Sequence, residues 1–166
     1  MAWPQGYGRR VLAEVDSTNA EAARRAPQLN APAWILAHRQ TRGRGRRGRP
    51  WADPAGNFAA SHVMFPKEPL QDVALNSFVV ALALFYALKA AAPSEGYALK
   101  WPNDVLLNGT KIAGILLETS GTGETLDWLT IGVGVNLRHS PDADALEPRA
   151  TPPSSVFAQL GTAPEP

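Results

Sequence analysis

Apolar and polar positions switch between two periods along this chain, and the switches mark its elements. Residues 11–15 (VLAEV) form a short apolar run that predicts a strand. Asp16-Ser17-Thr18-Asn19 then opens a helix; Thr18 with Glu21 three residues on fits a capping box, and the helix ends before Pro27. Residues 34–37 (WILA) predict a second strand, and residues 57–65 (NFAASHVMF) a third that Pro66 ends. Residues 70–92 hold no proline or glycine and are rich in alanine and leucine, so they predict one buried core helix closed by Pro93. Residues 97–100 begin a further extended segment. Asn108-Gly109 between apolar runs is a two-residue hairpin signal. Residues 131–137 (IGVGVNL) read as a strand with two unlike faces. Beyond Leu137 the pattern weakens: six of the fifteen prolines fall in 141–166, which predicts a proline-rich tail with one or two helical turns at 154–160.

Composition narrows the class. A chain of 166 residues with 45% hydrophobic and 19% charged positions predicts one globular domain, residues 1–166, rather than a disordered chain. There is no cysteine, which excludes disulfides, thiolate metal sites and cysteine nucleophiles. His38, His62 and His139 are scattered without metal-ligand spacing. The N-terminus, MAWPQGYGRR, lacks the apolar core of a signal peptide. The longest apolar stretch, 73–88, contains Asn76 and Ser77 and falls short of the roughly 18 residues of a membrane span. These features predict a soluble, cytoplasmic protein with no membrane partner.

Charge adds one local feature. Six arginines lie between Arg39 and Arg49, threaded with Gly43, Gly45 and Gly48, although the net charge of the chain is only +1. No apolar residue falls between Gln40 and Pro50, so the segment cannot bury itself. Arginine offers fixed fork donors for carboxylate and phosphate, and glycine permits close backbone approach. The pattern predicts a mobile cationic loop that closes on an anion. Residues 43–48 also match G-x-G-x-x-G, but Pro50 and Asp53-Pro54 argue against the helix that a dinucleotide site needs. A phosphate P-loop lacks its G-K-[ST]. Non-specific nucleic-acid binding is disfavoured by the near-neutral body.

Three other places carry candidate chemistry. Ser17, Thr18 and Asn19 either only cap the first helix or also hold a polar ligand head. If Asn108-Gly109 makes the turn, Leu106 faces Lys111, and Asp104 becomes a diagonal neighbour of Lys111 on the same face. That pair is either a surface salt bridge or a carboxylate and an ammonium facing a ligand, with Lys100 close by. In residues 131–137, Gly132, Gly134 and Asn136 share one face, leaving room for a flat ring or a close helix.

Together these blocks resemble a bacterial biotin–protein ligase, the biotin–[acetyl-CoA-carboxylase] ligase family. The residues that carry the resemblance are Asp16-Ser17-Thr18-Asn19, Gln40 with the Gly43–Arg49 run and Trp51, Lys100-Trp101-Pro102-Asn103-Asp104, Lys111 with Ala113-Gly114-Ile115-Leu116 and Glu118, and Gly132-Val133-Gly134-Val135-Asn136. The resemblance extends from about residue 10 to residue 160.

The resemblance implies an α+β fold like the catalytic domain of class II aminoacyl-tRNA synthetases: a mixed, largely antiparallel sheet backed by helices. It implies that biotin and ATP, with Mg²⁺, give biotinoyl-5′-AMP, and that biotin then passes to a lysine of the biotin carboxyl carrier protein of acetyl-CoA carboxylase. By the same resemblance Ser17, Thr18, Asn19 and Gln40 line the biotin head. Arg44, Gly45 and Arg46 close over biotin and phosphate, and Lys111 meets the carboxylate and α-phosphate. Trp51, Lys100, Asn103, Gly132, Gly134 and Asn136 are expected on the nucleotide side. Asp104 is expected at the reacting centre as the one candidate metal contact. Family members commonly pair edge to edge as homodimers. Many carry an N-terminal helix-turn-helix, for which about ten residues before the first strand leave no room, so no DNA partner is expected. Most end in a small β-barrel that is absent from this chain. A lipoate–protein ligase of the same fold group and a non-catalytic binding fragment are the alternatives.

Overall fold

Seven strands form one sheet in the order β1-β2-β3-β7-β6-β5-β4 in a computed structural model that describes residues 3–122, 125–141 and 151–166. The strands are β1 (Gly8–Leu12), β2 (Ala33–Ala37), β3 (Phe58–Met64), β4 (Tyr97–Lys100), β5 (Asp104–Leu107), β6 (Thr110–Thr122) and β7 (Thr125–Val135). Only β1 and β2 run parallel; every other neighbouring pair is antiparallel. This is the mixed, largely antiparallel sheet backed by helices that the resemblance implies.

The first strand lies earlier than its apolar run suggests. It covers Gly8–Leu12, and Val15 joins the sheet only through an isolated bridge to Gln40. Pairing with β2 sets this register, and the exposed edge of a sheet does not demand apolar residues. The hairpin falls where Asn108-Gly109 places it: both residues take positive φ (49° and 78°), as a type I′ turn requires. Leu107 faces Thr110 and Leu106 faces Lys111, and a bulge beyond that point brings Asp104 opposite Gly114.

The two faces of the sheet are built differently. On one face Ile131, Val133 and Val135 join Ile115, Leu107 and Val156 in the larger core. Helices α2 (Leu70–Val73) and α3 (Asn76–Ala91) cover it together with α4 (Val156–Leu160). On the other face α1 (Thr18–Arg25) packs Ala22 against Ile35 and Val63.

The predicted single buried helix over 70–92 is corrected in two respects. It breaks between Val73 and Asn76, and of residues 70–92 only Val73, Ala81, Leu88 and Ala92 are buried. Val79, Leu82 and Tyr86 stand on its outer side, which nothing among the described residues covers. Residues Leu70–Ala91, 22 in all, are also long and apolar enough to cross a membrane by length and composition alone, which the shorter apolar stretch read from the sequence is not. Residues 151–166 lie against the body: Lys111 N–H donates to Pro152 O (2.8 Å), Ser154 N–H donates to Lys111 O (2.9 Å), and Val156 is fully buried. The remainder of the proline-rich segment, 142–150, lies outside the described residues.

Candidate active site

The face of the sheet that carries Gly132 and Gly134 is left low by its lack of side chains, and a cavity of about 430 Å³ opens above it. Gly134 pairs with Gly114 across β6 and β7. The Trp51 indole lies over that pair: a Cβ on Gly134 would come within 2.6 Å of the ring, and one on Gly114 within 3.1 Å. At Gly132 a Cβ would meet Asn19 Oδ1 at 2.6 Å. Both sequence alternatives for this face are therefore realised, a ring over one glycine and a helix over the other. The ring over Gly134 belongs to the protein itself.

Asn19 sits in the first turn of α1. Its Nδ2 donates to Glu118 Oε2 (2.8 Å), and its Oδ1 accepts from Ser61 Oγ (2.6 Å). Ser61 Oγ also lies 2.8 Å from Thr18 Oγ1. Thr18 N–H donates to Gln40 Oε1 (2.8 Å). Gln40 in turn donates from both its backbone N–H (3.1 Å) and its Nε2 (3.3 Å) to Asp53 Oδ2. Burial pushes the Asp53 carboxyl up, and the two Gln40 donors oppose that shift. The capping-box reading of Thr18 is corrected here. Ser17 is the N-cap, with its side chain accepting from Ala20 N–H, and this frees Thr18 to face the polar cluster.

The arginine segment folds back on itself across the mouth. Gly45 N–H donates to Arg49 O (2.7 Å), and Trp51 N–H donates to Gly43 O (2.9 Å), giving a short hairpin with a 3₁₀ turn at Arg46–Gly48. Arg47 occupies the left-handed region (φ 57°), beside Gly48 (φ 72°). Arg44 Nη2 reaches Glu118 (3.4 Å), and Arg46 Nη1 donates to Asn103 Oδ1 (3.3 Å). The hairpin is thereby pinned to β6 and to the segment before β5. Arg39 turns away and pairs with Glu14 at 3.0 Å.

On the floor Lys111 Nζ lies 2.6 Å from Asp104 Oδ1, with both side chains largely shielded (28% and 16% exposed), and 5.7 Å from the Trp51 ring centroid. A shielded pair of this kind is electrostatically stronger than one on an open surface. The Lys100 ammonium donates to Thr151 Oγ1. Asn136 is buried. Its Nδ2 donates to Ser154 O (3.0 Å), and its Oδ1 has no protein partner.

All fifteen residues expected from the sequence line this one cavity: Ser17, Thr18, Asn19, Gln40, Arg44, Gly45, Arg46, Trp51, Lys100, Asn103, Asp104, Lys111, Gly132, Gly134 and Asn136. Arg47 and Arg49 join the wall, so among the described residues guanidinium and ammonium groups outnumber the one lining carboxylate, Asp104. Such a cavity focuses positive potential and suits phosphate and carboxylate. Among the described residues no three His, Asp or Glu side chains come together as a metal cage. Asp104, the candidate metal contact, meets Lys111 instead of standing free.

Two residues with structural duties at the site, Asp53 and Ser61, carried no motif. Ser61 lies in the middle of an apolar strand, and Asp53 resembles a helix-breaking turn residue. A polar side chain in a predicted buried strand is the one sequence signal that Ser61 offers; Asp53 offers none.

A model of the biotin/lipoate A/B protein ligase family matches residues 8–136. The chain belongs to that family. It is 55% identical to the biotin–[acetyl-CoA-carboxylase] ligase of Paracoccus denitrificans over 94% of this chain and 65% of that protein. It is 33% identical to the bifunctional ligase/repressor BirA of Escherichia coli over 76% of this chain and 40% of that protein. The chain thus spans less than two thirds of the length of these relatives. Among solved structures, the biotin protein ligase of Leishmania major in complex with biotin superposes with a TM-score of 0.77 at 26% identity, covering 99% of this chain and 69% of that one. The biotin protein ligase of Aquifex aeolicus in complex with biotin and ATP gives 0.71 at 30% identity, covering 94% and 62%. The fold is the class II aminoacyl-tRNA synthetase-like catalytic fold of these biotin ligases.

Proposed function

We propose that the chain is an ATP-dependent biotin–protein ligase. The observation that carries this reading is the division of one cavity into two chemistries. At one end amide and hydroxyl groups of Thr18, Asn19 and Gln40 form a shielded polar cluster. At the other end Arg44, Arg46 and Lys111 supply positive charge. Biotin has a ureido head that both donates and accepts hydrogen bonds, and a carboxylate at the far end of an aliphatic tail. Lipoate's dithiolane head would leave the polar cluster unanswered, which costs affinity. The relatives named biotin ligases, and the solved relatives that hold biotin and ATP, support the same assignment.

The chemistry follows from placement. A biotin carboxylate oxygen attacks the α-phosphorus of ATP, an O–P bond forms, and pyrophosphate leaves. Lys111, Arg44 and Arg46 would spread the developing charge over fixed donors, the term that dominates phosphoryl transfer. Magnesium would enter on the nucleotide and neutralise phosphate charge. A lysine amine of the acceptor then attacks the acyl carbon, AMP leaves with the C–O electron pair, and the amine loses a proton. Asp104 would hold Lys111 in place. Trp51, Lys100, Asn103, Gly134 and Asn136 would make the nucleotide side, whereas Gly132, under Asn19, falls at the polar end; Asn136 Oδ1 offers the nucleotide an unused acceptor. The acceptor would be a biotin carboxyl carrier protein in the cytoplasm, and pairing of two copies through sheet edges would fit the fold.

Incubation with biotin, ATP and an apo carrier domain tests the reading. A biotin-dependent mass gain on one lysine is expected. No mass gain with biotin, alongside a gain with lipoate, would overturn it.

A further inference from the structure

The polar end of the cavity contains more acceptors than its hydrogens can serve, and counting them shows which way each group points. Three oxygen contacts run in a row: Gln40 Oε1 to Thr18 Oγ1 at 3.1 Å, Thr18 Oγ1 to Ser61 Oγ at 2.8 Å, and Ser61 Oγ to Asn19 Oδ1 at 2.6 Å. Two hydroxyls supply only two hydrogens for three contacts. Asn19 Oδ1 can only accept, because Asn19 Nδ2 is committed to Glu118. Gln40 Oε1 already receives the Thr18 backbone N–H at 2.8 Å. Ser61 O–H goes to Asn19 Oδ1, which leaves the Thr18 hydroxyl one hydrogen for two acceptors, Gln40 Oε1 at 3.1 Å and Ser61 Oγ at 2.8 Å. When that hydrogen turns to Ser61, Gln40 Oε1 is released to accept from a donor in the cavity. Gln40 lines the cavity.

This polarity requires that the Gln40 amide not flip. Asp53 prevents the flip. One carboxylate oxygen, Oδ2, accepts both the backbone N–H and the Nε2 of Gln40. Asp53 is 7% exposed and lies outside the cavity lining, so it acts only through Gln40. A flipped amide would set its carbonyl against the Asp53 carboxylate and its NH₂ against the Thr18 N–H. Both contacts are repulsive.

We infer that Asp53 is a positioning residue for ligand selection: it fixes the Gln40 carbonyl as an acceptor, so the cavity admits a head group that donates an N–H. The inference rests on the ligase reading and deepens it. A ureido ring has that donor, and a dithiolane has none. A site built to receive a hydrogen bond discriminates strongly against an analogue that cannot make it.

Asp53→Ala and Asp53→Asn test this, with biotin and ATP titrated in pyrophosphate exchange and with the Gln40 side-chain NH₂ followed by nitrogen-15 NMR without ligand. Both bonds from Gln40 end on one oxygen, so the asparagine carbonyl can replace it. Asp53→Ala is expected to raise the biotin KM by about tenfold or more, leave the ATP KM within about twofold, and shift the Gln40 NH₂ signals. Asp53→Asn is expected to restore the biotin KM to within about threefold. Should the alanine variant not fold, Asp53→Leu, close in size and without an acceptor, gives the same test. A wild-type biotin KM together with unshifted Gln40 signals in Asp53→Ala would overturn the inference. Absence of biotin-dependent exchange in the wild-type chain would overturn the ligase reading instead. The NMR signals alone would then decide whether Asp53 orients Gln40.

Discussion

Trp51 lies flat on the backbone of Gly134, so closely that a methyl group there would stand 2.6 Å from the indole. The contact joins the end of the arginine hairpin to the floor of the cavity, and it tolerates no side chain on β7. Gly134→Ala is expected to displace the ring, lower stability by about 1–3 kcal/mol, and reduce adenylation more than Gly114→Ala, where the gap is 3.1 Å. Urea unfolding and exchange rates on both variants check the order. Equal effects at the two glycines would contradict it.

Lys111 and Asp104 meet at 2.6 Å on the cavity floor. Lys111→Gln removes a positive charge from the place assigned to the α-phosphate. Its kcat is expected to fall on the order of 10²–10³-fold with the fold retained. Asp104→Asn keeps the shape and the ammonium, so a smaller loss, about tenfold, is expected. Steady-state exchange kinetics with circular dichroism as a control measure both. A Lys111→Gln enzyme near wild-type kcat would remove Lys111 from the reacting centre.

Arg46 ties the hairpin to Asn103 over the cavity mouth. An acyl-adenylate is a mixed anhydride, and a closed lid protects it from water and from bystander amines. Arg46→Gly is expected to release adenylate and biotinylate unrelated proteins, seen by blotting a mixture of bystanders with streptavidin. Unchanged selectivity would place Arg46 outside the retaining lid. The hairpin as a whole is expected to gain protease protection when biotin and ATP bind together, as a mobile loop that closes on an anion would.

Asp16 anchors Arg24, whose guanidinium donates to both carboxylate oxygens (2.7 and 2.9 Å) and holds the Asp16 carboxyl down to about 2. The folded value lies below the ordinary one of about 3.9. The pair's contribution is therefore present above that ordinary value and is lost as the pH falls through about 2. Both side chains are about half exposed, so salt and solvent keep the contribution small. Urea midpoints measured from pH 5 to pH 2 should fall less steeply in Arg24→Ala than in wild type. Parallel slopes would mean that the pair is not formed in solution.

Much of this site is legible in the sequence because its signals are local. Asn108-Gly109 dictates a turn, and the turn sets Leu106 opposite Lys111; the bulge beyond it, which no local signal announces, shifts Asp104 to face Gly114 and still leaves it beside Lys111. Alternation along residues 131–137 separates an apolar face from a glycine face, and the cavity opens on the latter. Pro50 and Asp53-Pro54 argue against a helix after the arginine segment, and none forms there; the segment itself closes as a short hairpin.

What stayed hidden depends on distant partners. Ser61 is an unremarkable serine until β3 places it beside Thr18 and Asn19, 43 and 42 residues away in sequence. Ser17 and Thr18 are equivalent as caps on local grounds; the cavity decides between them by drawing Thr18 toward Gln40. The outer side of α3 reads as core because its composition is apolar all round, and composition cannot say which side meets the sheet.

Pyrophosphate exchange into ATP, measured on this chain with biotin, with lipoate and with neither, tests the central claim most directly. Exchange that requires biotin and is absent with lipoate is the predicted result. Exchange driven by lipoate, or none with biotin, would contradict the assignment of this cavity as a biotin-activating site.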